Sequence, residues 1–280
     1  MKRIALVTDS TADLTAEMQK EFNVHTIPLK IRFGEEEFPD GTLPPAEFYR
    51  RLVEEENPPQ TSQPSPEEFR RLYQKLLADH DAILSIHLSS ALSGTVNAAS
   101  LAKADFRQEI EVFDSKNISL GMGILIKEAA RLIREGLSLP QIRQELQRIR
   151  EKIVTLFTLD QLEYLHKGGR IGKVPNLLGS LLKVKPIIRV NADGVYVLQG
   201  IARSQERALK GIVQAFQELV AGRKPSLLFV AHGAAKQAGE HLKSLLETAF
   251  QRPASAFAHV GPVIGAHTGP GTVGAALLLP

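Results

Sequence analysis

Cysteine is absent from this 280-residue sequence, which excludes disulfide bonds, thiolate metal sites and a cysteine nucleophile. Long hydrophobic runs are absent as well. The first apolar run covers only residues 4–7, and no later segment reaches about 18 uninterrupted apolar residues. Neither a signal peptide nor a membrane span is therefore expected, and we predict a soluble, cytoplasmic protein.

The chain has no strong excess of one charge. It carries 34 Lys and Arg against 31 Asp and Glu, and its basic residues are scattered, which does not indicate a nucleic-acid-binding protein. The dinucleotide fingerprint GxGxxG and the Walker pattern are both missing, and no acidic cluster has the spacing of metal ligands. We therefore expect no cofactor and no metal.

The segment 82–95 combines a predicted strand with a polar turn. Its first half is apolar, which is typical of a buried strand in a parallel sheet, and an alanine-rich helical pattern follows the turn. Hydroxyl groups and backbone N–H groups at such a position can bind an anion, because ligands dock beyond the carboxyl ends of parallel strands. A helix cap is the alternative, but one cap does not need four hydroxyl groups. The small polar residues of this turn are Ser89, Ser90, Ser93, Gly94 and Thr95.

Two other segments are candidate parts of a binding site. Prolines on both sides of Thr61 and Ser62 predict a stiff polar loop, which loses little entropy when its hydroxyl groups bind a ligand. A linker that ends in a helix cap is the alternative. His267 lies in a segment rich in Gly and Pro, which predicts a loop rather than a helix and allows close approach to a ligand. A purely structural histidine is the alternative there.

Three further patterns have simpler interpretations. The turn with Asp9, Ser10, Thr11 and Asp13 is interpreted as helix capping at the border of a pocket. The cationic turn 167–171 is interpreted by default as a solvated loop. A stripe of leucines is interpreted as core, with the lining of an apolar tunnel as the alternative; it comprises Leu156, Leu159, Leu162, Leu165, Leu177, Leu178, Leu181 and Leu182.

The order of the predicted elements indicates an α/β protein with two domains. Strands and helices alternate through residues 1–152, which predicts a mostly parallel sheet flanked by helices. Residues 153–280 contain a predicted hairpin at the turn NADG and are read as an α+β domain. A chain of this length favours two domains that share a ligand cleft.

Five segments, taken in order, carry a resemblance to a known family: LVTDSTADLT, QTSQPS, SSALSGT, HKGGRIG and GPVIGAHTGPG. Together they resemble the DegV family, bacterial fatty-acid-binding proteins whose members include the FakB subunits of fatty acid kinase. The resemblance spans nearly the whole chain. It implies that a long-chain fatty acid lies between an N-terminal α/β domain and a C-terminal α+β domain.

The resemblance also implies roles for individual residues. Thr61, Ser93 and His267 are expected to bind the fatty-acid carboxylate. Arg203 resembles a surface arginine that helps to dock the kinase subunit. Four residues are expected to support the site, namely Ser62, Gly94, Thr95 and Arg170.

The resemblance predicts a carrier that performs no chemistry itself. It would take a fatty acid from the cytosol or during transient membrane contact and present the carboxylate to an ATP-binding kinase subunit, which forms acyl phosphate. One alternative is a serine hydrolase or acyltransferase that uses Ser93 with His267, although the GxSxG elbow is missing. Another alternative is a sensor whose lipid is only structural.

Overall fold

The first sheet is parallel throughout, as the alternating pattern predicts. The computed structural model describes residues 2–171 and 184–280, and the strand order of this sheet is β2-β1-β6-β7. Its strands are β1 (Ile4–Asp9), β2 (Val24–Ile27), β6 (Ala82–His87) and β7 (Glu109–Asp114). The helices packed around it are α1 (Ala16–Phe22), α3 (Pro66–Leu77), α4 (Thr95–Lys103), α5 (Ser119–Arg134) and α6 (Leu139–Glu151).

A small antiparallel sheet, which the sequence did not predict, lies beside the first sheet. It consists of β3 (Lys30–Phe33), β4 (Glu36–Pro39) and β5 (Gln60–Ser62), and α2 (Pro45–Glu54) packs on it. The prediction that Thr61 and Ser62 belong to a loop is therefore wrong. Both residues pair with β3, because the neighbouring prolines lie outside the paired residues and leave the backbone N–H groups of the strand intact.

The second sheet is mixed, and the α/β fold class with an α+β second part is confirmed. Its strand order is β10-β9-β8-β13-β11-β12, and β11 and β12 form its parallel pair. The strands are β8 (Ile153–Thr158), β9 (Lys185–Val190), β10 (Tyr196–Ala202), β11 (Leu227–Gly233), β12 (Ala256–His259) and β13 (Thr272–Leu278). The helices of this half are α7 (Glu163–Lys167), α8 (Gln205–Val220), α9 (Lys236–Phe250) and α10 (Pro262–Thr268).

Helix α5 lies between the two sheets, and its N-terminal half, residues 120–126, is buried on all sides. Its residues share one core cluster with Leu84 and Ile86 of the first sheet and with Phe157 and Phe229 of the second. The C-terminal half is amphipathic, with Arg131 and Arg134 exposed. The boundary predicted near residue 152 stays a prediction, since the second sheet begins at Ile153 but the core crosses that point. Among the described residues, no helix is both long and apolar enough to cross a bilayer.

His267 lies in helix α10, so the prediction that it belongs to a loop is wrong. Pro262 occupies the first turn, where the missing N–H group costs nothing. Gly265 then faces α2, and a side chain there would overlap the ring of Phe48 and the hydroxyl of Tyr49. This glycine therefore serves close helix packing rather than loop formation, a role that depends on a partner distant in sequence.

A chain of hydrogen bonds runs through the core of the first sheet. Tyr73 donates from its hydroxyl to Ser85 Oγ over 2.9 Å, and Ser85 Oγ lies 2.7 Å from Nε2 of His87. The other ring nitrogen of His87, Nδ1, lies 3.0 Å from Oδ2 of Asp9. All four side chains are fully buried, so the chain joins α3, β6 and β1 away from solvent.

Replacement of Asp9 by alanine is expected to lower the free energy of unfolding by about 3 kcal/mol. The carboxylate accepts hydrogen bonds from the backbone N–H groups of Thr11 and Leu88 and contacts His87, and all of these groups would remain buried without it. Urea unfolding measures the change. Glu109→Ala, which removes an exposed ion pair with Lys2, is the control and should change stability by less than about 1 kcal/mol. Equal effects of the two substitutions would contradict the assignment.

Candidate ligand-binding site

A cavity of about 380 Å³ lies where the end of β6, strand β5 and helix α10 meet. It brings together five of the residues singled out from the sequence: Thr61, Ser62, Ser93, Arg170 and His267. Gly94 and Thr95 lie directly behind Ser93 at the start of α4 and are not part of the lining. Apolar side chains complete the wall, namely Leu29, Leu88, Leu92, Ile118, Val263 and Ile264.

Thr61 and His267 form a hydrogen-bonded pair at this cavity, with 2.8 Å between Thr61 Oγ1 and His267 Nε2. Nδ1 of His267 is buried without a hydrogen-bond partner among the described residues. A buried acceptor without a partner is tolerated better than a buried donor, so we assign the proton to Nε2. The imidazole then donates to Thr61, which leaves the threonine O–H free to donate to a ligand.

Burial, with a smaller contribution from the nearby Arg170 guanidinium, lowers the pKa of His267 to about 4. The imidazole is therefore neutral at pH 7. A Cβ atom on Gly168 would overlap Nδ1 of this ring, so the glycine at the end of α7 provides the space that the imidazole occupies.

Thr95 orients the hydroxyl group of Ser93 in a similar way. The Thr95 hydroxyl lies 2.9 Å from Ser93 Oγ, and the Thr95 backbone N–H donates to the same oxygen over 3.3 Å. When both groups of Thr95 donate to Ser93, the Ser93 O–H is free to donate into the cavity. The cavity thus presents two hydroxyl donors, Thr61 and Ser93, and a second polar residue forms a hydrogen bond to each of them.

Sequence reasoning missed two polar residues of the lining, Gln63 and Tyr196. Gln63 directly follows the Thr61–Ser62 pair, so the motif itself could have indicated it. Tyr196 follows the hairpin turn of the second sheet and carries no local signal. Its ring packs edge-on against Phe157, and burial raises the pKa of its phenol. Arg170 donates from Nη1 to the backbone carbonyl of Gly168 over 2.8 Å, which holds the guanidinium at the wall.

A second, smaller cavity of about 40 Å³ adjoins the first, and Ile118 and Ile264 line both. Its wall is almost entirely apolar and includes Leu156, one of the predicted tunnel leucines. Leu159, Leu162 and Leu165 instead pack in the central core. The remaining predicted tunnel residues, Leu177, Leu178, Leu181 and Leu182, lie outside the described residues.

The turn after β1 does more than cap a helix. Asp9 is the N-cap of a short 3-10 turn, as expected, but Asp13 is a buried carboxyl group that contacts two distant helices. Burial, together with nearby carboxyl groups that include Asp9, raises the pKa of Asp13 to about 8 and that of Asp40 to about 6. The hydrogen bonds that each carboxyl group accepts act in the opposite direction.

Other predicted features lie away from this cavity. Arg203 is exposed at the end of β10 and does not line it. Residues 2–171 and 184–280 contain no group of three or more potential His, Cys, Asp or Glu metal ligands. Within the same ranges no carboxylate contacts His267, whose side-chain hydrogen bond goes to Thr61.

The geometry agrees with a sequence comparison. The family model described as an uncharacterised protein, DegV family, matches residues 3–279. This chain belongs to the DegV family. A DegV domain-containing protein from Clostridium acetobutylicum is 35% identical to it over 278 residues, with 98% of each chain covered.

Solved structures of other DegV proteins share the fold. A fatty-acid-binding DegV family protein from Thermus thermophilus matches with a TM-score of 0.93 and 35% identity, covering 99% of this chain and all of the other. DegV from Bacillus subtilis, a fatty acid binding protein, matches with a TM-score of 0.91 and 32% identity over the full length of both chains.

His267 is expected to stay neutral down to about pH 4. Because its folded pKa lies below the usual value of 6.5, its contribution to stability is complete above pH 6.5 and is lost as the pH falls through about 4. NMR titration of histidine-labelled protein measures the pKa. The spectrum of His267→Gln identifies the signal and separates it from His232, whose pKa burial also lowers to about 4. A His267 signal that titrates near pH 6.5 would contradict the buried, neutral assignment.

Proposed function

We propose that this protein binds a long-chain fatty acid, with the carboxylate at Thr61, Ser93 and His267. The observation that carries the proposal is a pair of adjoining cavities that share Ile118 and Ile264: hydroxyl donors line the first, and the wall of the second is almost entirely apolar. This polarity matches a molecule with one anionic end and one long apolar end. Ser62, Gly94, Thr95 and Arg170 have supporting roles, as the resemblance implies.

The acyl chain and the carboxylate of the ligand contribute to binding in different ways. Burial of an acyl chain stabilises the complex by about 0.8 kcal/mol per methylene, which gives affinity without selecting a head group. Ordering of the ligand and protein reduces this sum. A carboxylate buried without partners would be strongly destabilising, so the two hydroxyl groups and the imidazole pair determine which head group is accepted. The second cavity is small, so an acyl chain that extends into it has to move the side chains that line it.

The solved relatives support the same ligand class. The Thermus thermophilus and Bacillus subtilis proteins bind fatty acids and share the fold at 35% and 32% identity. A related protein from Eubacterium ventriosum, at 28% identity and a TM-score of 0.90, binds stearic acid. These relatives favour a fatty acid over other amphiphiles that the cavity polarity would also accept.

We further propose that the bound carboxylate is presented to an ATP-binding kinase subunit, which forms acyl phosphate, and that the protein itself is not an enzyme. Ser62 and Gln63 line the head-group end of the cavity and are exposed, so a second protein can reach that end. Arg203 is the proposed docking residue, and loading is proposed to occur in the cytoplasm or through transient contact with a membrane. The hydrolase alternative is not favoured, since no carboxylate in the described parts of the chain orients His267.

Ser93→Ala is expected to raise the dissociation constant for palmitate about tenfold, because one hydrogen bond to a charged group is lost. Displacement of a fluorescent fatty acid measures the change. Ser90→Ala is the matched control, since Ser90 lies in the same turn but bonds Asp114 and does not line the cavity. Similar affinities of both variants would place the carboxylate elsewhere, and a wild-type protein that refuses all long-chain acids would overturn the proposed ligand.

Arg203→Ala is expected to raise the KM of a fatty acid kinase subunit for the loaded protein several-fold while leaving fatty-acid affinity unchanged. The exposed side chain of Arg203 is available to a partner protein. Because it lies outside the ligand cavity, its loss should not alter fatty-acid affinity. Acyl phosphate is trapped with hydroxylamine and quantified. An unchanged KM would remove Arg203 from the docking surface.

Labelling of the isolated protein by a fluorophosphonate, if it were lost in Ser93→Ala, would favour the hydrolase alternative over the carrier.

A further inference from the structure

Asp13 joins two helices that border the ligand cavities. Its Oδ2 contacts the hydroxyl of Ser119, the first residue of α5. Its Oδ1 accepts a hydrogen bond of 2.8 Å from the backbone N–H of Gly261, the N-cap of α10. One carboxyl group therefore connects the start of α5 with the start of α10. The carboxyl group is buried, so water does not compete for either contact.

These contacts lie beside the wall that the two cavities share. Ile118 directly precedes Ser119, and Ile264 lies in the first turn of α10 after Gly261. Ile118 and Ile264 are the two residues that line both cavities. Because Asp13 contacts the residue next to Ile118 and the N-cap of the helix that carries Ile264, it can hold these two isoleucines at a set distance, and an acyl chain that enters the second cavity would pass between them.

The head-group end of α10 has its own support. His267 is held by Thr61, and the Thr272 hydroxyl donates to the backbone carbonyls of Thr268 and Gly269 after the helix. Loss of the Asp13 contacts would therefore act on the first turn of α10 rather than on its last turn. Binding of the acyl chain can therefore be measured separately from binding of the carboxylate.

We propose that Asp13 is a positioning residue that sets the width of the passage for the acyl chain, and hence the preference for long over short fatty acids. The proposal rests on fatty-acid binding as the function of the cavity. Asp13 touches no part of the ligand itself. Asp9, Asp40 and the phenol of Tyr49 lie near it and no cationic group pairs with it among the described residues, so its stabilising contacts are the hydrogen bonds from Ser119 and Gly261.

The experiment compares palmitate, whose chain must use the passage, with octanoate, whose chain is short enough to stay in the first cavity. Asp13→Ala is expected to weaken palmitate binding about tenfold and octanoate binding less than twofold. Asp13→Asn keeps an acceptor for Gly261 and a polar partner for Ser119, so it should retain the wild-type ratio of the two dissociation constants. Thermal unfolding of each variant, followed at the same pH, verifies that it is folded.

Two further variants keep the test decisive if Asp13→Ala does not fold. Ser119→Ala removes only the α5 contact. If Ser119 only formed part of the cavity wall, the methyl group of alanine would strengthen palmitate binding. If Ser119 helps to position the start of α5, its replacement would weaken palmitate binding. Asp40→Ala is the matched control, because this partly buried carboxyl group also accepts a hydrogen bond from α10, over 3.4 Å from the Val263 N–H, but forms no hydrogen bond with α5 among the described residues. It should leave the palmitate-to-octanoate ratio unchanged.

The outcomes separate the inference from the proposed function. Equal weakening of both acids in Asp13→Ala, or stronger palmitate binding in Ser119→Ala, would overturn the positioning role while fatty-acid binding stands. A change of the ratio in Asp40→Ala as large as that in Asp13→Ala would assign the effect to the acidic cluster and also overturn it. A wild-type protein that binds neither acid would overturn both proposals.

Discussion

The structure depends on the burial of α5 between two sheets. The first two turns of this helix, residues 120–126, are buried on every side, so both sheets must cover them, and the packing of this half of the helix holds the sheets in their relative position. The other faces of the sheets are covered separately, by α3 and α4 on one and by α8 and α9 on the other. The ligand cavities form where α5 begins, because Ile118 lies at the point where this central layer opens towards α10.

The candidate head-group site uses neutral donors more than positive charge. Thr61 and Ser93 are each held from behind by a second polar group, and the imidazole of His267 is neutral because it is buried. Donors that are already oriented lose little entropy when a carboxylate arrives. Arg170, at the same wall, is the cationic side chain that lines this cavity in the described structure, and its guanidinium is partly satisfied by the carbonyl of Gly168.

The sequence predicted correctly the elements whose formation depends on residues close to them in the chain. The apolar run of β6 and the hydroxyl-rich turn after it were read correctly, because strand burial and helix initiation are visible within a few residues. The helix around His267 and the strand containing Thr61 were missed. Their formation depends on Phe48, Tyr49 and β3, which are distant in sequence. Local patterns marked Thr61, Ser62, Ser93 and His267 as candidates and the family resemblance implied their roles. The structure brings these four and Arg170 to one cavity.

The buried chain of Asp9, His87 and Ser85 has a consequence for function assignment by three-dimensional motif. Its distances satisfy the acid–base–nucleophile template of serine hydrolases, although the serine oxygen is fully buried and accepts a hydrogen bond from Tyr73 of α3. A template search that scores only interatomic distances would therefore select this cluster. Such searches need a reachable nucleophile as a separate criterion.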